Sequence, residues 1–295
     1  MSAEDEVAGK AAEHIIARVV EQAGVHDAET LVSKIERVSA QQVQEAERLA
    51  VQDAVRRGES RSPSEVLSEL EREQASRLTA GQRDRLVSAR ALAIENEKQI
   101  TPQLREIADQ AGMELVHLDQ AVKTQSSLDR KIGGELIRDG QGTVAHENQF
   151  TNSLTKVNDV VRYTMVAPEA EYADATSRAI RAMEDKGFVL EQVPPKNNWL
   201  NETGYRGVNS TWIASLPAEG SGEKVVQRFE MQFHTPDSFA AKDGTHRIYD
   251  FARVADSRLA GTFQSLQNEV FDLVPIPEGT TGGGSVPWPL GGATS

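Results

Sequence analysis

The alternation of apolar and polar residues over positions 228–235 constrains the fold of this chain more than any other feature. Successive side chains of a β-strand point to opposite faces of a sheet, so the pattern predicts a strand with one apolar and one polar face. The apolar face holds Phe229, Met231 and Phe233, and the polar face holds Glu230, Gln232 and His234. Polar side chains aligned roughly 7 Å apart form either a solvated face or a site.

The hydrophobic period changes near residue 113. Earlier residues follow the helical period, with helix starts predicted at Ser62, Thr79 and Thr101 and a stop at Gly112. Later segments alternate as strands do, with helices between or after them. The predicted strands are 114–118, 157–166, 188–193, 205–215 and 225–235, and the predicted helices are 168–186 and about 257–273. We expect an α/β (α+β) fold with a mixed five-stranded sheet flanked by helices, the last two strands forming an antiparallel hairpin.

Composition divides the chain into three parts. Residues 1–80 carry no Trp, Tyr or Phe, which favours an all-α accessory, regulatory or delivery module over a catalytic one. Residues 81–274 form the predicted α/β domain. Residues 275–295 are rich in Gly and Pro and are predicted to be a disordered tail.

Charge and residue usage exclude several classes of function. The net charge of −13 argues against broad nucleic-acid binding, which needs many cations against phosphates. The chain has no Cys, so disulfides, Cys-ligated zinc and thiol catalysis are excluded. No apolar run approaches the roughly 20 residues of a membrane span, and the N-terminus lacks the pattern of a signal peptide. We expect a cytoplasmic protein, or one exported without a cleavable signal peptide.

Two carboxylates lie inside apolar strands, at Asp159 and Glu230. Burial of a carboxylate is costly unless a positive group meets it. A hard cation such as Mg²⁺ would satisfy both carboxylates. Ion pairs with Arg162 or Arg228 would serve equally well, and the residues alone leave both options open.

Three further segments carry candidate binding groups. Residues 123–132 place cations around a Ser/Thr-rich turn that leads into a helix, which suits a phosphate cradle or a plain helix cap. Tyr205 follows a polar loop and could stack on a nucleobase or lie half-buried in its strand. His246 and Tyr249, three residues apart on a predicted helix, either face the cleft or are structural.

Taken in order along the chain, these motifs resemble the synthetase domain of the RelA/SpoT family. The resemblance covers roughly residues 85–255 and implies a nucleotidyltransferase-like fold. That family transfers pyrophosphate from ATP to the 3′-hydroxyl of a purine nucleotide, making alarmones such as guanosine tetraphosphate. The motifs are Val122–Thr124 with Ser127 and Arg130–Ile132, then Asp159, Lys196–Asn197, Gly204–Arg206, Glu230–Thr235 and His246.

The resemblance implies a role for each matching residue. The ATP-binding residues would be Lys123, Ser127, Arg130 and Lys131. The acceptor-binding residues would be Lys196, Tyr205, Asn209, Gln232, His234 and His246. Asp159 would bind Mg²⁺, and Glu230 would be a second metal contact or the base that accepts the proton of the 3′-hydroxyl. The implied partners are ATP and a purine nucleotide. The N-terminal helices leave three roles open: contact with another protein or a second copy, restraint of the active site, or delivery by a specialised export system.

The chain departs from the family pattern at four positions. Ala121 and Thr164 stand where alarmone synthetases usually have Arg, Asn209 stands in place of His, and His234 in place of Arg. The departures resemble small toxin-like or secreted members, which make (p)ppApp or pyrophosphorylate the 3′ end of tRNA. The expected function is therefore an ATP-dependent pyrophosphokinase making (p)ppApp- or (p)ppGpp-type products. The alternatives are a toxin acting on tRNA and a catalytically inactive nucleotide-binding module.

Overall fold

The computed structural model describes residues 26–58, 62–217, 223–255 and 257–281. The α-helices are α1 (His26–Arg56), α2 (Pro63–Ser76), α3 (Ala80–Ala111), α4 (Gln125–Glu135), α5 (Val144–Lys156), α6 (Tyr172–Asp185), α7 (Pro236–Gly244), α8 (His246–Val254) and α9 (Ser257–Phe271). The strands are β1 (Glu114–Val116), β2 (Arg162–Val166), β3 (Val189–Leu190), β4 (Lys196–Asn197), β5 (Val208–Pro217) and β6 (Lys224–His234). Within these ranges, no helix has the length and apolar character needed to cross a membrane.

The strands form one mixed sheet in the order β1-β2-β6-β5-β3, with β4 also paired to β5. Only the β2–β6 pair is parallel among the paired strands, and β5 and β6 form the predicted antiparallel hairpin. The predicted mixed α/β class is confirmed. The sheet has one strand more than predicted, because the two residues of β4 are too few to show an alternating pattern.

Alternation separates the two faces of the sheet as the sequence predicts. The apolar face is buried against helices α3 and α6, and the Tyr163 hydroxyl lies 2.9 Å from Thr101 Oγ1 of α3. Tyr163 and Phe188 each meet Phe229 edge-on, with ring centroids 5.8 and 5.5 Å apart. Burial on this face fixes which side chains remain for the other one.

Most predicted helix boundaries are confirmed. Ser62 and Thr79 each form a capping box with the residue three positions later, and Gly112 ends α3 in the left-handed conformation with φ 72°. The helix start predicted at Thr101 is wrong, because Pro102 lies inside α3. Ile100 and Leu104 are fully buried on either side of this proline, and their packing keeps the helix continuous.

The described part of residues 1–80 packs directly on the α/β elements. Helix α1 contacts α7, α8 and α9, and α2 contacts α4. Val32 and Ile35 belong to the main core, whereas Ala46 and Ala50 form a second apolar cluster with α8 and α9. The boundary at residue 80 remains a prediction, but helices α1 and α2 are in contact with the elements that carry the site.

Residues 275–281, the first part of the predicted disordered tail, also pack on the domain. Thr280 is buried, and its carbonyl oxygen accepts a hydrogen bond of 2.8 Å from the Asn197 side chain. Residues 282–295 of that tail lie outside the described residues, as do residues 1–25 of the predicted N-terminal module.

A substitution at Gly133 tests the close contact between α2 and α4. A Cβ at Gly133 would lie 2.2 Å from the Gln74 carbonyl oxygen, whereas one at Gly134 would only touch the Gln74 side chain at 3.4 Å. We expect Gly133→Ala to lower the free energy of unfolding by about 1–3 kcal/mol, because the backbones must move apart. Gly134→Ala, the matched control, should leave it unchanged or raise it by about 0.5–1 kcal/mol. Urea unfolding of both variants measures this, and equal stabilities would contradict the packing.

Candidate active site

The polar face of the sheet brings together residues from four separate stretches of the chain. Strand register places Thr164 beside Gln232, Gln232 beside Asn209, and Asn209 beside Lys196. An adjacent row joins Arg162, Glu230 and Thr211. Paired residues in neighbouring strands lie about 4.5–5.5 Å apart at Cβ, so the two rows form one continuous polar surface.

A chain of hydrogen bonds crosses this surface and ends at Glu230. The Tyr205 hydroxyl donates to Asn209 Oδ1 at 2.8 Å, and Asn209 Nδ2 donates to Glu230 Oε1 at 3.2 Å. His234 Nε2 lies 2.8 Å from the same hydroxyl, and His234 Nδ1 lies 2.8 Å from Ser238 Oγ. Because Tyr205 has one hydrogen to give, the His234 contact requires the hydrogen on Nε2. Every donor in the chain then points toward Glu230.

Burial keeps His234 and Tyr205, which lie in the middle of this series of hydrogen bonds, uncharged. Burial lowers the pKa of His234 well below its ordinary value, and the cations of Lys242 and Arg162 lower it further. Burial, followed by the negative charge of Glu230, raises the pKa of Tyr205 well above its ordinary value. His234 therefore acts as a neutral hydrogen-bonding group near neutral pH. It does not replace the cationic Arg of the family pattern.

Two glycines shape the loop that carries Tyr205. Gly204 and Gly207 have φ of +84° and +141°, and a Cβ at Gly207 would lie 2.9 Å from both His234 Cε1 and the Phe233 carbonyl oxygen. The Tyr205 ring packs edge-on against His234 and tilted against Phe271. Arg206 is buried and donates to the carbonyl oxygens of residues 201 and 202, so it holds the loop.

The Asp159 carboxylate is neutralised by lysines. Lys131 Nζ lies 2.6 Å from Asp159 Oδ1, and Lys123 Nζ lies 3.3 Å from Oδ2. Burial by itself raises the pKa of Asp159, but the two ammonium groups outweigh it and hold this pKa below its usual value. The predicted alternative of an ion pair with Arg162 or Arg228 is wrong for Asp159, since Arg228 pairs with Glu191 and no pair joins Arg162 to Asp159 within the described ranges.

The residues of the predicted phosphate cradle do not all lie together in the structure. Lys123 and Lys131 meet at Asp159, and the Ser127 backbone N–H is capped by Thr124 Oγ1 at 3.2 Å. Arg130 points elsewhere: its guanidinium is buried, with Nε 3.0 Å from Glu71 of α2 and one terminal nitrogen 3.9 Å from Asp250 of α8. Arg130 therefore links α4 to α2 and α8 instead of joining the two lysines. The resemblance implies a role for Arg130 as an ATP ligand, and helix periodicity does not show that α2 and α8 cover this side chain.

The remaining predicted residues lie at the ends of the polar face. Lys196 is exposed on β4, next to Asn209 across the strand pair. His246 is exposed at the start of α8, stacks on Tyr249 and lines an open cleft beside β2. The same cleft is lined by residues that the site prediction omitted, and the most prominent are His117, Arg162, Thr164 and Lys242. The alternation of β2 already placed Arg162 and Thr164 on one face, but nothing in the sequence placed Lys242 against them.

The residues fit a hard cation only as part of a larger complex. In the described part of the chain, no three His, Asp or Glu side chains are grouped as ligands. Mg²⁺ commonly takes one or two carboxylates and completes its shell with water and substrate phosphates. Asp159 and Glu230 supply such oxygens, and the side chain of Asn158, the neighbour of Asp159, donates to Thr211 Oγ1 beside Glu230 at 2.7 Å. The donor set is compatible with Mg²⁺ held jointly with a phosphate ligand.

The structure is similar to solved structures of small alarmone synthetases. Small alarmone synthetase 1 from Bacillus subtilis has 14% identity and a TM-score of 0.40, covering 64% of this chain and 90% of that one. The same protein bound to its product pppGpp has 14% identity and a TM-score of 0.41, and the match covers 65% of this chain and 93% of that one. The smu.1046c protein from Streptococcus mutans UA159 has 12% identity and a TM-score of 0.40, and the match covers 66% of this chain and 91% of that one. No protein-family model and no curated protein matches the sequence. What this chain does chemically is therefore decided by its own side chains.

Removal of the Tyr205 hydroxyl tests the hydrogen-bond chain. Tyr205→Phe keeps the ring but leaves groups of Asn209 and His234 without their partner. We expect the free energy of unfolding to fall by about 1–3 kcal/mol. Tyr249→Phe, at a ring that is 43% exposed, is the matched control and should change it by less than about 0.5 kcal/mol. Thermal and urea unfolding measure the difference in the free energy of unfolding. Equal stabilities of the two variants would contradict the hydrogen-bond network.

Proposed function

We propose that this chain is an ATP-dependent pyrophosphokinase that transfers the β,γ-pyrophosphate of ATP to the 3′-hydroxyl of a purine nucleotide. The observation that carries the proposal is the convergence of motif residues on one face of the sheet. The strand register places Glu230, Gln232, Asn209 and Lys196 side by side. Asp159 with Lys123 and Lys131, here called the Asp159 cluster, follows Asn158, whose side chain contacts Thr211 beside Glu230. Meeting of separate segments on one polar surface supports a phosphoryl-type transfer, which needs carboxylates and cations near each other.

The proposed step needs one base and no covalent intermediate. Glu230 accepts the proton of the acceptor's 3′-hydroxyl, and the oxygen attacks the β-phosphorus of ATP. The bond between that phosphorus and the oxygen bridging to the α-phosphate breaks, and AMP leaves with the electron pair. Transfer of this type depends on positioning and charge neutralisation, which the polar face and its cations can supply. Asn209 orients the carboxylate of Glu230 by its hydrogen bond.

The Asp159 cluster is proposed as the phosphate end of the ATP site. Lys123 and Lys131 share one carboxylate, so two positive charges face one negative charge. Polyphosphate oxygens would accept hydrogen bonds from the ammonium groups and leave Asp159 free for a metal. Mg²⁺ held by Asp159 and Glu230 would neutralise charge that develops on the transferred group.

The acceptor end is proposed to lie along the row from Gln232 to Lys196. Gln232 Oε1 is buried and has no hydrogen-bond partner among the described atoms, so a nucleotide amino or hydroxyl group can satisfy it. Tyr205 and Asn209 border this position. Because His234 is neutral and Asn209 replaces a His of the family pattern, we favour adenine or mixed purine acceptors over strict guanine specificity.

A transfer assay tests the proposal. ATP labelled in the γ-phosphate is incubated with Mg²⁺ and, in parallel, with AMP, ADP, ATP, GDP, GTP or bulk tRNA. We expect label to move to a purine nucleotide, and Glu230→Gln and Asp159→Asn to abolish transfer. The matched control is Asp185→Asn, an exposed carboxylate at the end of α6 on the opposite face, which should retain full activity.

Each other outcome decides against part of the proposal. Label on tRNA alone would make the chain a tRNA-modifying toxin instead. No transfer by protein that still binds ATP would support an inactive nucleotide-binding module. Full activity in Glu230→Gln would remove this residue as the base.

Removal of the metal gives a separate test of cofactor use. We expect a chelator in excess over Mg²⁺ to abolish transfer, because the phosphates lose their neutralising cation. Fresh Mg²⁺ should restore transfer. ATP binding should be measured beside it by equilibrium dialysis. Undiminished transfer in the presence of the chelator would contradict the assignment of Mg²⁺.

A further inference from the structure

Three cations around the polar face are paired with carboxylates. Lys123 and Lys131 share Asp159, and Arg228 pairs with Glu191. Lys196 has no carboxylate within 4.0 Å among the described residues, but it is exposed to water. Two partly buried cations, Arg162 and Lys242, also have no carboxylate within 4.0 Å among the described residues. Within the described ranges, the contacts of Lys242 are a long hydrogen bond of 3.4 Å to Thr164 Oγ1 and the face of the Phe239 ring, whose centroid lies 5.4 Å from Nζ.

These two cations line the same cleft. Its walls include His117, Gln120, Arg162, Thr164, Lys242 and His246. Strand register makes Arg162 the neighbour of Glu230 and Thr164 the neighbour of Gln232, so the cleft is continuous with the proposed active site. The carboxylate in the cleft, Asp243, is partly exposed and lies 3.9 Å from His117 Nδ1 instead of against either cation.

Several groups of this cleft are held in unfavourable surroundings. Burial, followed by the nearby Arg162 cation, lowers the pKa of Lys242 to about 7, against the opposing effects of Asp243 and Glu230. His117 has φ of 54°, a left-handed conformation that is uncommon for a residue with a side chain. Its Nε2 is buried and has no hydrogen-bond partner among the described atoms. Arg162 and Lys242, which have no carboxylate partner among the described residues, suit a ligand that carries negative charge, and the buried His117 Nε2 offers it one more polar contact.

We propose that this cleft binds the polyphosphate chain of a nucleotide substrate, with Arg162 and Lys242 as its cationic ligands. The inference rests on the proposed function and adds a second phosphate site beside the Asp159 cluster. A polyphosphate has enough oxygens to meet both cations and the hydroxyl of Thr164 at once. The bound polyphosphate belongs either to ATP or to an acceptor nucleotide that carries a 5′-diphosphate or 5′-triphosphate.

The first experiment uses inorganic tripolyphosphate as the probe, so it needs no transfer activity. Calorimetric titration of the full chain should show binding that Lys242→Met and Arg162→Gln each weaken by about 10- to 100-fold, as expected for charge-assisted hydrogen bonds. The matched control is Lys224→Met at an exposed lysine of β6, which should bind as the unmodified chain does. Lys242→Met should also unfold at the same or a higher temperature without the anion, because it removes an unpaired charge.

The second experiment distinguishes the two sources of the phosphate chain. In the transfer assay, a rise in KM for ATP alone in Lys242→Met assigns the cleft to the donor. A rise for diphosphate and triphosphate acceptors, with KM for AMP unchanged, assigns it to the acceptor.

The outcomes separate this inference from the proposed function. Loss of tripolyphosphate binding in folded Lys242→Met supports the cleft even if no transfer occurs with any acceptor. Unchanged tripolyphosphate binding in both Lys242→Met and Arg162→Gln overturns it, even if transfer is observed.

Discussion

The parallel pairing of β2 with β6 is the constraint on which the whole site depends. It sets Arg162 beside Glu230 and Thr164 beside Gln232. The apolar face fixes this arrangement, because Tyr163, Met165 and the phenylalanines of β6 must remain buried. A shift of either strand by one residue would turn Glu230 into the core, where an unpaired carboxylate is costly. The hydrophobic core thus determines the geometry of the polar surface, although none of its atoms reaches the reacting groups.

Charge pairing then divides the cations into structural and available groups. Arg130 is held by Glu71 and Asp250, so helix α2 takes part in fixing the helix that carries Lys131. The Asp159 cluster is partly neutralised, with two ammonium groups at one carboxylate. Arg162 and Lys242 remain without a carboxylate partner in the part of the chain that the structure describes. An acidic protein can in this way keep a local surface suited to phosphates, because net charge does not determine how cations are paired.

Local patterns predicted the strands and most helix ends, but the strand predicted at 157–166 begins only at Arg162. The prediction that Asp159 lies inside a strand is therefore wrong, because the apolar residues directly before Arg162 are buried without being part of the strand. The alternation around Phe229, Met231 and Phe233 indicated both the strand and its polar face, and the capping residues at Ser62 and Thr79 marked two helix starts. Long-range partners were harder to predict. The parallel β2–β6 pairing was not predicted, because alternation does not show which strands are neighbours, and the continuity of α3 through Pro102 depends on tertiary packing.

The candidate site shows the same limit. The sequence could place Glu230 and Gln232 on one polar face, because side-chain directions on a regular strand follow from alternation. The roles of these residues and of Asn209 stay predictions. Arg130 was placed in the wrong surroundings because its direction depends on which helix covers α4. Lys242 was missed because it comes from a helix whose position over β2 no local pattern records.

The most direct test of the central claim is the product balance of the reaction, measured by phosphorus NMR on ATP, Mg²⁺ and a purine nucleotide acceptor. Pyrophosphate transfer predicts that AMP and a 3′-pyrophosphorylated nucleotide form in equal amounts, and that neither forms with Glu230→Gln. ADP and inorganic phosphate as the products, or no phosphorus product at all, would contradict the account.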